Sequence, residues 1–225
     1  MRRGPFEPRF EDLPSVLPIF PLPGALLLPR GRLPLNIFEP RYLAMTADAL
    51  GGPGRLIGMI QPTEEEQDGR VQAIHPIGCA GRIVSFSETD DGRYLLTLGG
   101  VARFRVAEEL PAERAYRRVV PDWTPYRHDL DEAPPAFDRE RLIQALKVFF
   151  EKRGFKADWD AIGELTADRL IVTVSMVCPF SIEEKQALLE ARNPTQRAAA
   201  LLTLLEIAAF QSGDLEPDRP NPVRH

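Results

Sequence analysis

The 225-residue sequence has little cysteine, no long apolar run and no excess of positive charge. Its two cysteines, Cys79 and Cys178, are too few for the disulfide framework that stabilises small secreted proteins. The most apolar window, residues 198–210, is interrupted by Glu206, whereas a membrane-spanning helix needs about 20 apolar residues. Residues 1–14 also lack the apolar core of a secretory signal. We therefore expect a cytoplasmic protein that does not enter a membrane.

Positive charge is scarce because 28 Lys and Arg residues stand against 33 Asp and Glu residues, which gives a net charge of −5. Proteins whose main task is to hold phosphate backbones carry the opposite sign, so nucleic acid is a disfavoured partner. Hydrophobic residues make up 44% of the chain and charged residues 27%. This balance excludes wholesale disorder and predicts a globular fold with a buried core.

Patterns for catalysis and metal binding are absent from the sequence. No serine has the Gly-x-Ser-x-Gly context that exposes a nucleophile on a sharp turn. His75 and Cys79 have side chains that can bind zinc, but the chain contains no Cys-x-x-Cys or His-x-x-x-His pair. A structural zinc ion needs four ligands. We therefore expect no catalytic residue, no cofactor and no metal site.

Residues 13–125 carry the signals of β-structure, which are short apolar runs, period-2 alternation and Gly or Pro punctuation. The apolar residues of 102–106 alternate with Arg103 and Arg105, which predicts a strand with one apolar face and one guanidinium face. An Asp-Gly pair at 91–92 suits a hairpin turn. The strands 83–87 and 93–98 are therefore predicted to pair.

One helix is predicted to interrupt this β-rich part. Pro40 fits the first helical position, and Gly51-Gly52 can end the helix. The apolar residues between them recur at helical spacing: Leu43, Ala47 and Leu50. The acidic run that follows, residues 64–68, is interpreted as a solvated loop rather than as paired catalytic carboxylates.

From about residue 134 the apolar period changes to that of helices. Four amphipathic segments with short connections predict an α-helical lobe over residues 134–211. The first ends at Gly154, the second ends before Pro179, the third begins with a capping box of Ser181 and Glu184, and the fourth begins at Pro194. Residues 1–12 and 212–225 are predicted to be flexible tails.

Two proline-rich motifs in the first part resemble a known family. The run Leu-Pro-Ile-Phe-Pro-Leu-Pro-Gly at 17–24, followed by Leu-Pro-Leu-Asn-Ile-Phe-Glu-Pro-Arg-Tyr at 33–42, resembles the opening of the Lon protease N-terminal, or substrate-binding, domain family. Later landmarks look similar too: residues 78–83, 91–94, 100–106, 179–180 and 184–190. The resemblance covers about residues 13 to 211. It departs from the family pattern at Asn36, where His is more usual.

The resemblance implies an α+β fold in which a PUA-like β-barrel lobe with one inserted helix, residues 13–125, precedes a four-helix C-terminal lobe, residues 134–211. It also implies a stand-alone bacterial member that recognises polypeptides for a protease. The chain has no Gly-Lys pair for a Walker loop and no Pro-Ser-Ala-Gly run of the kind that carries the family's serine nucleophile. We predict a non-enzymatic, polypeptide-binding adaptor or holding factor, and rank peptidase activity third.

The proline-rich opening suggests where a polypeptide would bind. Pro21 and Pro23 remove backbone donors and fix φ, so that Leu22 and residues 25–28 do not fit one regular strand. We predict an apolar groove for unfolded or extended polypeptide segments, or for a protease partner. Six residues would form it: Leu22, Leu26, Leu28, Phe38, Tyr42 and Met59. The alternative is that all six simply pack the barrel against its helix.

RNA binding is the second hypothesis for this chain. PUA-like barrels resemble RNA-binding proteins, and Arg82, Arg103 and Arg105 lie on neighbouring predicted strands. Glutamates on the same or adjacent strands favour surface ion pairs instead. A steep fall of affinity with salt would identify an RNA ligand. The sequence predicts no particular oligomeric state.

Overall fold

A computed structural model describes residues 8–63, 73–111, 114–131 and 133–211 of the chain. Within the described residues 17–122 there are six strands and one α-helix: β1 (Leu17–Pro21), β2 (Arg32–Ile37), α1 (Pro40–Gly51), β3 (Leu56–Ile60), β4 (Ile77–Glu88), β5 (Tyr94–Glu109) and β6 (Arg118–Asp122). The helical part follows: α2 (Arg139–Lys152), α3 (Trp159–Glu164), α4 (Ala167–Val177), α5 (Ile182–Glu190) and α6 (Pro194–Gln211). Short 3₁₀ helices occupy Phe10–Asp12, Pro53–Arg55 and Thr124–Leu130. A sheet followed by helices agrees with the predicted mixture of α and β structure.

The six strands form one sheet in the order β2-β5-β4-β3-β1-β6. β1 and β3 run parallel, and the other neighbours run antiparallel. β6 also pairs with β5, so the series of strand pairs that begins at β5 returns to β5 through β4, β3, β1 and β6. We call these five strands the ring. Among the described strands, β2 pairs with β5 alone, which makes it an edge strand. The predicted hairpin is confirmed, since Ile83 lies opposite Leu98 and Ser87 opposite Leu95.

Apolar side chains cover both faces of this ring of strands. An inner cluster comes from all five strands of the ring together with Trp123: Leu17, Ile19, Leu56, Ile60, Ala80, Ala102, Phe104, Val119 and Trp123. An outer cluster joins the sheet to α1 and to the helical part. In β3, Leu56 and Ile60 belong to the inner cluster, whereas Ile57 and Met59 belong to the outer one. Because both faces are buried, β3 is a continuous apolar run rather than an alternating one.

The proline-rich segment after β1 folds back onto the sheet. Its backbone is held by Gly100 of β5, which accepts a 2.8 Å hydrogen bond from the N–H of Arg30 and donates a 2.9 Å one to the carbonyl of Gly31. A Cβ atom on Gly100 would stand 1.9 Å from the carbonyl oxygen of Leu28, so only glycine permits this approach. As a result Leu26, Leu27 and Leu28 are buried in the outer cluster.

α1 begins and ends where the sequence predicts, at Pro40 and Gly51. The fully buried residues of this helix are Tyr42, Met45, Thr46 and Ala49. Of the predicted apolar residues, Leu43 and Leu50 are partly buried against the outer cluster, whereas Ala47 is exposed. The Tyr42 ring lies against Phe20 of β1, with 4.0 Å between the ring centroids. This contact with the sheet sets the rotation of the helix.

The helical part contains the four predicted helices and one short helix that the sequence pattern missed. Asp138 caps α2 by accepting a hydrogen bond from the N–H of Arg141, and the capping box of Ser181 and Glu184 at the start of α5 is confirmed. The missed helix α3 has six residues and begins after the cap Asp158. Six residues are too few to show an apolar period.

Several predicted features fall on parts of the chain outside the described residues. They are the acidic run 64–68, the tail 212–225 and residues 1–7 of the other tail. Residues 10–12 of that tail form a 3₁₀ helix, and Phe10 packs against the inner cluster. Among the helices that the structure describes, none is both long and apolar enough to cross a membrane.

Candidate functional site

Four of the six predicted groove residues lie in the core and cannot line an open surface. Leu26, Leu28, Tyr42 and Met59 have exposed fractions of 2%, 0%, 6% and 2%. The leucines are buried because their segment folds back over β5, Tyr42 because it faces Phe20, and Met59 because β3 is covered on both faces. For these four residues the prediction of an exposed groove is wrong.

The other two predicted residues stay accessible to different degrees. Leu22 is half-buried, and its N–H donates a 3.1 Å hydrogen bond to the carbonyl of Ile60. Phe38 is 62% exposed although it is a large aromatic residue. It directly follows Ile37, the last residue of β2, which lies opposite Tyr94 of β5. Phe38 therefore lies beside the turn end, or tip, of the β4–β5 hairpin.

That end of the hairpin carries further exposed apolar side chains. Val84, Phe86 and Leu95 are 41%, 40% and 44% exposed. Leu95 lies opposite both Asn36 of β2 and Ser87 of β4, so these three side chains share one face of the sheet. Phe86 lies opposite Leu96 on the other face and touches the Tyr94 ring edge-on at 5.0 Å. We call Phe38, Val84, Phe86 and Leu95 the hairpin surface.

The strand topology explains why these residues are exposed. β3 pairs with β4 only as far as Arg82, which lies opposite Leu56. Beyond that point, residues 83–88 have β5 as their neighbour, and the ladder has a register shift between Ile83 and Ser85. Val84 is the extra residue at this shift, where a bulge turns side chains outward. Sequence reasoning paired these strands correctly but gave no sign that they extend past the ring.

Carboxylates surround the turn at the tip of the hairpin. Asp91 pairs with the Nε atom of Arg93 at 2.9 Å, and the Thr89 hydroxyl donates a hydrogen bond to the same carboxylate. The hydrogen bond from Thr89, together with the nearby charge of Arg93, lowers the pKa of Asp91. Glu88 and Asp90 are also exposed at this turn. The tip thus presents three carboxylates and one guanidinium.

Next to Phe38, a second charged pair flanks the hairpin surface. The Nε atom of Arg41 donates a 2.9 Å hydrogen bond to Glu39, and its guanidinium lies 4.6 Å from the centroid of the Tyr42 ring. Both side chains of the pair are about two-fifths exposed. Since Glu39 is engaged by Arg41, it does not cap α1 with its side chain. The pair holds the motif around Phe38 and offers no separate reactive group.

The reactive side chains that the sequence offered are far from this surface or deeply buried. Cys79 is 0% exposed and Cys178 is 2% exposed. Burial raises the pKa of the Cys79 thiol far above its ordinary range and raises the pKa of Cys178 to about 12. Both thiols are therefore protonated at neutral pH and poor nucleophiles. Within the described ranges, no three His, Cys, Asp or Glu side chains come together as metal ligands would.

Arg103, one of the arginines on which the RNA hypothesis depended, is buried. Its guanidinium pairs with Asp129 at 2.6 Å, and both side chains have an exposed fraction of 0%. It also donates hydrogen bonds to the carbonyls of Leu189 and Ala191 at the end of α5 and lies over the Tyr126 ring. The predicted alternation was right, but helices cover Arg103, whereas Arg105 on the same face is exposed. Arg103 therefore joins the sheet to the helical part and cannot reach a nucleic acid.

Comparison with protein families identifies the family of this chain. A family model described as the ATP-dependent protease La (LON) substrate-binding domain matches residues 16–206. The chain belongs to the LON substrate-binding domain family. The match includes every strand of the sheet, the whole hairpin surface and most of α6.

Two Lon proteases with similar sequences are much longer than this chain. Lon protease 2 of Myxococcus xanthus is 30% identical over 204 residues, which are 87% of this chain and 24% of that protein. The Lon protease of Flavobacterium johnsoniae is 28% identical over 220 residues, which are 95% of this chain and 26% of that protein. The chain thus spans about a quarter of the length of these LON relatives.

Solved structures of the LON family share the fold. A Lon N-terminal domain protein from Xanthomonas campestris aligns with a TM-score of 0.59 at 23% identity, covering 84% of this chain and 98% of that one. The N-terminal domain of the Mycobacterium avium complex Lon protease aligns with a TM-score of 0.56 at 16% identity, covering 89% of this chain and 100% of that one. At these identities the likeness concerns the fold alone.

Proposed function

We propose that this protein is a non-enzymatic module that binds unfolded or extended polypeptide segments through the hairpin surface. The observation that carries the proposal is the exposure of Phe38, Phe86 and Leu95, each at least 40% exposed, next to a sheet whose ring part holds fully buried side chains such as Phe104. Aromatic and aliphatic side chains grouped in this way at the surface are typical of protein-binding sites. The substrate-binding family to which the chain belongs supports the same partner class.

The shape of the hairpin surface favours an extended segment over a small molecule. Apolar side chains stand on both faces of the three strands β2, β5 and β4, because Leu95 and Phe86 point to opposite sides. A small ligand is usually enclosed in a concave pocket, whereas an extended chain can cross from one face to the other. A polypeptide with several apolar residues is therefore the ligand that covers this surface best.

At β2, contacts through side chains rather than strand addition would hold the segment. β2 is an edge strand, and edge strands can pair with another chain. Pro34 in the middle of β2 has no backbone N–H, and proline is one of the features that prevent edge strands from pairing. Specificity would then come from which apolar side chains the segment presents to Phe38, Phe86 and Leu95.

The architecture around this site is part of the proposal. We take the closed series of strand pairs to be a PUA-like barrel over residues 13–125 and the helices to be a second lobe over residues 134–211. The buried contacts of Arg103 with Asp129 and with the end of α5 would make the two lobes one rigid support for the hairpin. In the cell we propose an adaptor or holding role in proteolysis, carried out in the cytoplasm.

Fluorescence anisotropy with a labelled, permanently unfolded model protein tests the proposal. We expect the double variant Phe38→Ser/Leu95→Ser to bind at least about tenfold more weakly than the parent, a loss of about 1.4 kcal/mol. The matched control is Val177→Ser, which removes a 71% exposed apolar side chain from the end of α4. The control should bind as the parent does.

Unfolding in urea shows whether the variants remain folded. Both side chains are exposed, so the midpoints should change little. Equal affinity of the folded double variant and the parent would contradict the proposed site. Weaker binding by Val177→Ser would move the site to the helical part.

A further inference from the structure

We propose, on the basis of the function proposed above, that the hairpin surface selects apolar polypeptide segments that are flanked by lysine or arginine. The inference rests on the charges beside the apolar side chains. Glu88 is two residues beyond Phe86 on β4 and lies opposite Tyr94. Two residues of a strand span about 7 Å, so this carboxylate is within reach of a cation next to a segment bound on Phe86.

The turn carries negative charge that no basic side chain among the described residues neutralises. Asp91 and Arg93 form an ion pair with each other, which leaves Glu88 and Asp90 as the surplus. Within the parts of the chain that the structure describes, neither of these two carboxylates has a cationic side chain within ion-pairing distance. The tip therefore carries a surplus of about two negative charges beside an apolar surface.

Positive charge beside the hairpin surface lies away from the tip, since Arg82 is two residues before Val84 on β4, at the ring end of the strand. The nearest cation in the motif around Phe38 is Arg41, and its guanidinium is engaged by Glu39 at 2.8 Å. The pair contributes no net charge. A bound segment thus meets apolar side chains in the middle and uncompensated carboxylates at one end, which favours Lys or Arg beside the apolar residues and disfavours Asp or Glu.

Exposed charges at the rim of a binding surface have a limited and salt-dependent effect. Individual exposed ion pairs contribute little, and screening by salt reduces them further. We therefore expect the charged residues to set preference among apolar segments, while Phe38, Phe86 and Leu95 provide the affinity. The second copy of this chain is a poor occupant, because its net charge of −5 has the same sign as the tip.

Three synthetic peptides with one apolar core, flanked by pairs of Lys, Ser or Glu, test this inference by anisotropy. In 50 mM NaCl we expect the Lys-flanked peptide to bind about fivefold more tightly than the Glu-flanked one, and in 500 mM NaCl less than about twofold more tightly. The variant Glu88→Gln/Asp90→Asn should bring this ratio close to one and leave binding of the Ser-flanked peptide unchanged.

The matched control removes the same charges elsewhere. Glu140 and Asp160 are exposed acids in the first turns of α2 and α3, and Glu140→Gln/Asp160→Asn should leave the ratio as it is in the parent. Equal affinity for the three peptides would overturn the charge preference and leave the proposed function standing. A preference that survives Glu88→Gln/Asp90→Asn would also overturn it. If the parent binds none of the peptides, the proposed function itself fails.

Discussion

The two ends of the β4–β5 hairpin have similar residues in opposite situations. Phe104, in the part of β5 that belongs to the ring, is 0% exposed, whereas Phe86 near the tip is 40% exposed. Both are aromatic residues on long paired strands. The difference is that β3 and β6 flank the ring part and a layer of helices covers it, while residues 83–88 have only β5 beside them. Exposure here is therefore a property of the neighbours and not of the residue type.

The comparison also holds for charged residues. Arg103, close to Phe104, is fully buried with Asp129, whereas Glu88 and Arg93 near the tip lie at the surface. The Arg103 charge is surrounded by several hydrogen-bond partners from different elements. At the tip, the charges face solvent. The same hairpin thus supports the fold at one end and presents exposed apolar and charged side chains at the other.

Breaking the buried ion pair of Arg103 and Asp129 is expected to cause the largest loss of stability. Asp129→Ala leaves the Arg103 guanidinium buried without its carboxylate, and it removes hydrogen bonds of 2.8 and 2.6 Å. We expect a loss of about 3–5 kcal/mol in the free energy of unfolding, measured by urea denaturation. Glu109→Ala breaks the more exposed pair with Arg117 and should cost less than about 1 kcal/mol. Similar losses of unfolding free energy for both variants would contradict a special role of the buried ion pair in stability.

A second test replaces one aromatic residue at each end of the hairpin. Phe104→Ala opens a cavity in the inner cluster and should cost about 3–5 kcal/mol of unfolding free energy. Phe86→Ala should cost less than about 1 kcal/mol, because its side chain is partly solvated already, and it should instead weaken polypeptide binding. Thermal and urea unfolding measure the first effect, and anisotropy measures the second. If Phe86→Ala destabilised the fold as strongly as Phe104→Ala, the tip would be part of the core.

Thiol reactivity gives a third and gentler test. Cys79 and Cys178 should react with a thiol reagent at pH 8 at least about 100-fold more slowly in the native protein than in urea, because both are buried. A cysteine placed at the tip by Ser87→Cys should react as fast as a free thiol. Fast reaction of the parent protein would show that its core opens readily.

The buried thiol of Cys178 should make the stability of the protein depend on pH in the alkaline range. Burial raises the pKa of Cys178 to about 12, and the thiol of an unfolded chain ionises near pH 8.5. A group whose folded pKa is the higher one contributes stability that is fully present below pH 8.5 and is lost as pH rises toward 12. We expect the urea midpoint to fall between pH 8.5 and 10, and to fall less in Cys178→Ala.

Local features of the fold could be predicted because they depend on neighbouring residues in the chain. The Asp-Gly turn at 91–92 specifies the hairpin through its backbone conformation, and Gly92 has a φ of 77°. Pro40 starts α1 and the capping box of Ser181 and Glu184 starts α5 for equally local reasons. The substrate-binding family could be recognised for the same reason, because its motifs, such as residues 17–24 and 33–42, are contiguous in the chain.

The sequence by itself determined where strands, turns and most helices lie, because period, caps and turn chemistry act over a few residues. Only the tertiary structure decided which apolar and charged residues face solvent. Leu28 is buried because Gly100 lets its segment approach the sheet, Arg103 is buried because helices cover its face, and Phe86 is exposed because β3 stops short of it. Such coverage comes from elements distant in the chain, and no local pattern encodes it.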